Sequence, residues 1–163
     1  MTRVGVPVRE LEAVYRRRYR QFLRVATAIL GDEASGHDAV QEGFSQALRG
    51  PSSFRAEGPI EGWVWRLVVN AALTARRRRV ARREAPEAVG NLSASGHRSD
   101  ESGVRAWVAA LPERQRLAVY LRYYADLDYR AIAEALDVEV GTVSATLSSA
   151  HQALRRSLQE VER

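Results

Sequence analysis

IEGWVWRLVVNAALTARRRRVARR, residues 60–83, decides how the chain is read. Trp63, Val64, Leu67, Val68, Ala71 and Ala75 recur at spacings of three and four, which places them on one stripe of an α-helix. Arg66, Asn70, Leu73 and Arg77 share another face. Six of the eight residues 76–83 are arginine. Such a cluster is hard to solvate without an anion, and guanidinium planes suit phosphates and stack on bases. The dipole of a helix C-terminus accounts for one or two of them, not for six. A helix with an apolar stripe that runs into dense arginine therefore points to nucleic acid. Trp63 and Trp65 stand two residues apart and are not expected to face the same core. Trp63 fits the stripe, so Trp65 is a candidate for base stacking, with a partly buried structural tryptophan as the alternative.

Helical periodicity extends outward in both directions, and no useful length of chain alternates with period two. Upstream, Leu11, Val14, Phe22, Val25 and Ile29 form one stripe, and Ala39, Val40, Gly43, Phe44 and Ala47 form another. Gly31-Asp32 ends the first helix and Gly50-Pro51-Ser52-Ser53 the second. Downstream, residues 84–103 are rich in Gly, Ser and acid and too poor in apolar groups to offset their ordering entropy, so they read as a linker. Structure resumes near Val104, with Trp107, Val108, Leu111, Leu117, Tyr120, Leu121 and Tyr124 as its apolar pattern and Pro112 at a first helical position. Asp128 is a good N-cap for a short helix carrying Ile132, Ala133 and Leu136, and Asp137 sits where a turn needs φ > 0. A last helix opens near Gly141-Thr142 with the row Val143, Leu147, Ala150, Leu154 and Leu158. A short helix, a tight turn and a longer helix match a helix-turn-helix. The expected fold is all-α, with an N-terminal bundle over residues 8–83, a flexible acidic linker over 84–103 and a helix-turn-helix domain over 104–160.

Composition narrows the function. Every one of the 25 basic residues is Arg, and the chain has no Cys. Without thiols there is no disulfide framework, and His37, His97 and His151 are too far apart for a zinc site. No metal or cofactor is expected. Residues 4–8 are too short for a signal core, and no window approaches ~18 uninterrupted apolar residues. A cytoplasmic chain without membrane insertion is the expectation. The net charge of +5 is uneven. Residues 61–83 carry +6 and residues 31–60 carry −3, while residues 104–163 are neutral. A basic segment beside acidic ones suggests a polyanion site and a separate protein contact.

The protein contact has a candidate. Asp38, Gln41, Glu42 and Ser45 follow i, i+3, i+4, i+7 and share one face opposite the second apolar stripe. That face reads either as a solvated surface or as a patch for a basic partner. Two carboxylates also raise acid–base chemistry, but no His, metal partner or apolar pocket is apparent to tune them. The loop Ser53-Phe54-Arg55-Ala56-Glu57-Gly58-Pro59-Ile60, just before the basic helix, could shape a pocket for a flipped base.

Together these motifs resemble the sigma factors of bacterial RNA polymerase, of the small extracytoplasmic-function type. The D-x-x-Q-E element (Asp38, Gln41, Glu42) and the spacing of Trp63, Arg66, Asn70 and Arg76 look like the family's region 2, and LPERQRLAVYLRYYADLDYRAIAEALDVEVGTVSATLSSAHQALRRSL looks like region 4. The resemblance spans about residues 10–83 and 104–158. It implies a transcription initiation factor that catalyses nothing itself. The face of Asp38, Gln41, Glu42 and Ser45 would dock on the clamp helices of the polymerase β′ subunit. Phe54, Arg55, Ile60, Trp65, Arg66 and Asn70 would melt and read the −10 element, with Arg76, Arg77, Arg78 and Arg79 holding the DNA backbone. Arg130, Gly141, Thr142, Ser144, Ala145, Ser148, Ser149 and Gln152 would meet the −35 element, and the same domain would touch the β flap. The resemblance further implies promoter DNA and an anti-sigma factor as partners, a linker that threads toward the RNA exit path, and no obligate homo-oligomer. Free forms of such factors are expected to be more compact, with DNA surfaces masked.

Two departures stand out. His37 occupies a position where the family usually has an acid, which predicts slightly weaker docking or pH sensitivity near ~6.5. The recognition helix carries Ser144, Thr146, Ser149 and His151 where Lys or Arg are usual, and Glu139 takes the small N-cap position. Gly141 and Thr142 still offer backbone N–H groups, and hydroxyls and amides still read base edges. The −35 contact is therefore expected to be weak, with region 2 carrying most promoter specificity. The other readings are a sigma-like decoy that titrates an anti-sigma factor or polymerase, a stand-alone helix-turn-helix repressor or activator, and a hydrolase using Asp38 and Glu42. No nucleophile–base pair supports the last.

Overall fold

The computed structural model describes residues 5–50, 54, 58–82 and 101–162, and among these every regular element is an α-helix. They are α1 (Val8–Leu30), α2 (Glu33–Arg49), α3 (Ile60–Ala81), α4 (Glu101–Ala109), α5 (Glu113–Tyr123), α6 (Tyr129–Leu136) and α7 (Val140–Val161). Residues 83–100 lie outside the described residues, and with them most of the expected linker. α4 begins at Glu101, three residues before the expected restart, because a first helical turn needs no apolar residue of its own.

The helix ends follow local chemistry. Gly31 stops α1 at φ 88°, where a side chain would be strained, and its N–H donates to the Thr27 carbonyl at 2.7 Å. Asp32 then caps α2, its Oδ1 accepting the Ser35 N–H at 2.8 Å. Asp128 caps α6 in the same way through the Ala131 N–H. Asp137 takes φ 55°, and Val138 N–H returns to the Ala133 carbonyl at 3.0 Å, which reverses the chain into α7. α7 opens at Val140 after Glu139, whose side chain makes no capping bond.

α1, α2 and α3 form the N-terminal bundle. Phe22 is its centre, with ring centroids 5.3 Å from Phe44 and 4.2 Å from Trp65. α2 approaches its neighbours at glycines. A Cβ on Gly36 would lie 2.5 Å from Thr27 Oγ1, and one on Gly43 would lie 2.8 Å from the Val68 Cα. In the C-terminal half, Leu117, Leu121, Ile132, Val143, Leu147 and Ala150 are buried among α5, α6 and α7.

The two halves share one continuous core. α6 packs on α3 as well as on α7. At the crossing a Cβ on Gly62 would lie 3.2 Å from the Ala131 Cα. α3 is thus covered on two sides, by α1 and α2 and by α6. Both Trp63 and Trp65 are consequently buried, at 4% and 0% exposure. The expectation of one core tryptophan and one free for stacking is corrected. It assumed a helix with a single buried face.

Candidate nucleic-acid interface

α2 presents the acidic face as its spacing requires. Asp38, Gln41 and Glu42 are exposed and Ser45 is half-buried, while Ala39, Val40, Gly43 and Ala47 turn inward. Glu42 Oε1 accepts from Gln46 Nε2 at 2.9 Å and Arg49 Nη2 at 3.1 Å, so one carboxylate of the face is already held locally. His37 is half-buried with its ring edge-on to Tyr19 at 6.1 Å.

This face borders a groove of about 480 Å³ between α2 and α3. Ser35, Asp38 and Glu42 line one wall; Asn70, Thr74 and Arg78 line the other. Thr74 escaped the sequence reading, although it stands four residues from both Asn70 and Arg78. The face assigned to Arg66, Asn70, Leu73 and Arg77 stays together and turns toward the C-terminal half. Leu73 and Arg77 line a second cleft, of about 330 Å³, whose other wall comes from the C-terminal half through Arg114, Leu136, Thr142 and Thr146. Asn70, exposed, borders both.

The arginines differ in what they meet. Arg77 and Arg78 are exposed. Arg66 reaches α6, its Nη1 3.8 Å from Glu134 Oε1 and its Nη2 3.3 Å from Asp137 Oδ1. Arg76 pairs with Glu113 at the start of α5, at 3.2 Å. Arg79 turns back to the α1–α2 junction, where it donates to the Leu30 carbonyl and Asp32 Oδ2, both at 3.0 Å, and to the Ser35 hydroxyl. Three of the five described arginines expected to hold DNA backbone or read bases are therefore engaged inside the molecule. No local signal announces these pairs, since every partner is distant in sequence. The Ser35 backbone N–H, helped by its hydroxyl and by Arg79 and opposed by burial, holds the Asp32 carboxyl below its ordinary pKa.

Of the loop residues, Phe54 is half-buried with its ring 5.4 Å from Trp63, and Ile60 packs against the core; Arg55 lies outside the described residues. Trp65 is sealed within the bundle and offers no face to a base. Its Nε1 has no partner. On α7, Gly141, Thr142, Ser144, Ala145, Ser148, Ser149 and Gln152 are all exposed on one side, and Arg130 is exposed on α6. His151 is turned from this face to Tyr123, with Nε2 2.8 Å from the phenol oxygen. Among the described residues no cluster of His, Cys, Asp or Glu could hold a metal, and no helix is long and apolar enough to cross a membrane.

Comparison with known proteins decides what this arrangement belongs to. Sigma-70 region 2 matches residues 14–82, and sigma-70 region 4 matches residues 104–158. The chain belongs to the sigma-70 family. It is an extracytoplasmic-function sigma factor, acting in transcription initiation. It is 32% identical to the ECF RNA polymerase sigma-E factor of Haemophilus influenzae over 75% of this chain and 74% of that one. It is 30% identical to the ECF sigma factor SigM of Mycobacterium tuberculosis over 90% of this chain and 76% of the relative. Among solved structures it is similar to RpoE of Bartonella quintana, crystallised with the anti-sigma factor NepR. The TM-score is 0.69 at 21% identity, covering 93% of this chain and 96% of that one. CnrH, solved with the cytosolic domain of CnrY, gives 0.68 at 20% identity, covering 94% and 90%. Sigma factors bind RNA polymerase and promoter DNA, and the matches to both halves leave the stand-alone repressor unfavoured.

Proposed function

We propose that this sigma factor docks on the β′ clamp helices of core RNA polymerase through Asp38, Gln41, Glu42 and Ser45. Residues 8–83 then melt and read the −10 element, and residues 104–160 contact the −35 element and the β flap. The observation that carries this reading is the shared groove. The exposed acids of α2 and the exposed Asn70 and Arg78 of α3 form its two walls, so polymerase contact and strand contact are adjacent without overlapping. Arg77 and Arg78 supply phosphate contacts that position the strand, and Asn70, with donor and acceptor on one amide, reads a base. The sigma factor supplies binding energy for strand opening and forms no bonds itself. It acts in the cytoplasm, and an anti-sigma factor restrains it.

Reading the −10 strand requires the halves to part. Arg66 and Arg76 hold carboxylates of the C-terminal half, and these must exchange for phosphates. The docking acids of α2 stay exposed meanwhile, Glu42 held only by its helix neighbours Gln46 and Arg49, so polymerase can engage the closed chain first. The −35 contact is weak, because the exposed row of α7 offers hydroxyls and an amide with no guanidinium before Arg155. Losing about three phosphate contacts flattens the salt dependence of binding by roughly 0.9 per contact.

Binding of the purified chain to core RNA polymerase tests the docking face. Tight binding that disappears in the Asp38→Arg, Glu42→Arg variant is the expected result. A folded wild type that ignores polymerase overturns the reading. Footprints of the holoenzyme test the second claim. Strong, salt-sensitive −35 protection dependent on α7 would contradict it.

A further inference from the structure

The mechanism leaves one strongly engaged group unused. Arg79 belongs to the arginine run, yet its side chain is turned away from the DNA-facing row. One guanidinium serves three acceptors at once: the carbonyl of Leu30 at the end of α1, the carboxylate of Asp32 that caps α2, and the hydroxyl of Ser35 in the first turn of α2. A guanidinium has only five N–H donors, and a carboxylate at 3.0 Å repels an incoming phosphate. Arg77 and Arg78, by contrast, are exposed.

The fork sits where the relation of α2 to α3 is set. α2 is held against α1 at Gly36 and against α3 at Gly43, both too close to admit a Cβ without movement. These two contacts fix its distance from its neighbours. The Arg79 fork fixes where the helix starts, because it binds the capping residue itself and ties that cap to the last turn of α3. Asp38 and Glu42 follow on the same rigid helix, and Arg79 lines the same groove that they form with Asn70.

We propose that Arg79 is a positioning residue. It holds the polymerase-docking face of α2 in register with the strand-reading face of α3, and it makes no contact with DNA phosphate. The proposal rests on the docking role assigned to Asp38 and Glu42 above.

Two readouts on the full-length chain separate the roles: affinity for core polymerase, and the salt slope of promoter binding by the holoenzyme. Arg79→Gln is expected to weaken polymerase binding by roughly tenfold, the scale of lost charge-assisted hydrogen bonds. The salt slope should stay unchanged. Asp32→Asn should weaken polymerase binding in the same direction, and the double variant should be no worse than Arg79→Gln alone. Arg77→Gln should show the converse, with intact polymerase binding and a slope lower by about 0.9. Arg79→Lys, which keeps the charge but loses the fork, serves if the glutamine variant does not fold, and it too should lose polymerase affinity without a change of slope. A lowered slope with retained polymerase affinity in either Arg79 variant makes Arg79 a phosphate contact and overturns the proposal. A lower melting temperature with both readouts unchanged also overturns it, leaving Arg79 a brace for stability alone. Failure of the wild type to bind polymerase strikes the docking assignment instead, and is visible as such.

Discussion

Arg66 of α3 and Asp137 at the α6–α7 turn lie 3.3 Å apart, joining the basic helix α3 to the helix-turn-helix by an ion pair between the two halves of the chain. Glu134, one turn earlier on α6, adds a second carboxylate at 3.8 Å. These pairs are partly exposed and contribute about 0.2–1 kcal/mol each, so they tune the closed arrangement while the apolar contact beneath them holds it. The substitution Glu134→Arg with Asp137→Asn places a like charge beside Arg66 and keeps a residue that tolerates φ 55° at the turn. The isolated chain should then bind a single-stranded −10 oligonucleotide several-fold more tightly at low salt. Unchanged binding, with the halves shown to have separated, would mean that Arg66 takes no part in strand contact.

The apolar side of the same junction is more sensitive. At Gly62 even a Cβ comes within 3.2 Å of the Ala131 backbone. Gly62→Leu has no space unless α3 and α6 move apart. Small-angle scattering should show a larger radius of gyration than for the wild type, while the bundle keeps its helicity. A compact variant would show that α6 can slide along α3.

Gly43 tests packing within the bundle. The Gly43→Ala methyl would meet the Val68 backbone and side chain inside 3.0 Å. Alanine's better helix propensity, about 1 kcal/mol, is outweighed by overpacking, which typically costs about 1–3 kcal/mol and more where the obstacle is backbone. Urea unfolding should place Gly43→Ala below the wild type in stability.

Trp65 separates core from contact. Trp65→Ala should cost about 3–5 kcal/mol, the range for emptying a large buried aromatic site. Trp65→Phe should leave promoter opening near wild-type levels, because the indole Nε1 has no partner to lose. Permanganate footprinting of the melted strand checks this. A selective opening defect in the phenylalanine variant would return Trp65 to the DNA.

Asp32 gives a pH signature. Its folded pKa is depressed, first by the Ser35 backbone N–H and then by the Ser35 hydroxyl and Arg79. The stabilisation is therefore fully present above the ordinary aspartate range, about 3.9, and fades as pH falls through the lower folded value. The melting-temperature gap between wild type and Asp32→Asn should be widest near neutral pH and narrow below about pH 4. A gap that does not change with pH would mean that the charge of Asp32 contributes nothing beyond its shape.

The helices, their caps and the acidic face of α2 were readable from the chain because they depend on neighbours within one turn. Asp32 and Asp128 cap through the third residue on, Gly31 and Asp137 reverse the chain through their own φ, and Asp38, Gln41 and Glu42 share a face by spacing alone. What spacing could not supply was which elements cover each side of α3, above all the second side, against α6. Gly62 meets Ala131 there and Arg66 meets Asp137, pairs about 70 residues apart, while on the bundle side Phe22 covers Trp65 and Asp32 draws Arg79 inward across more than 40 residues. Local periodicity determines which residues face together, since helix geometry is the same in every context. Only the tertiary fold decides which faces are left for a partner, because burial and ion pairing depend on helices whose contact the sequence order does not encode.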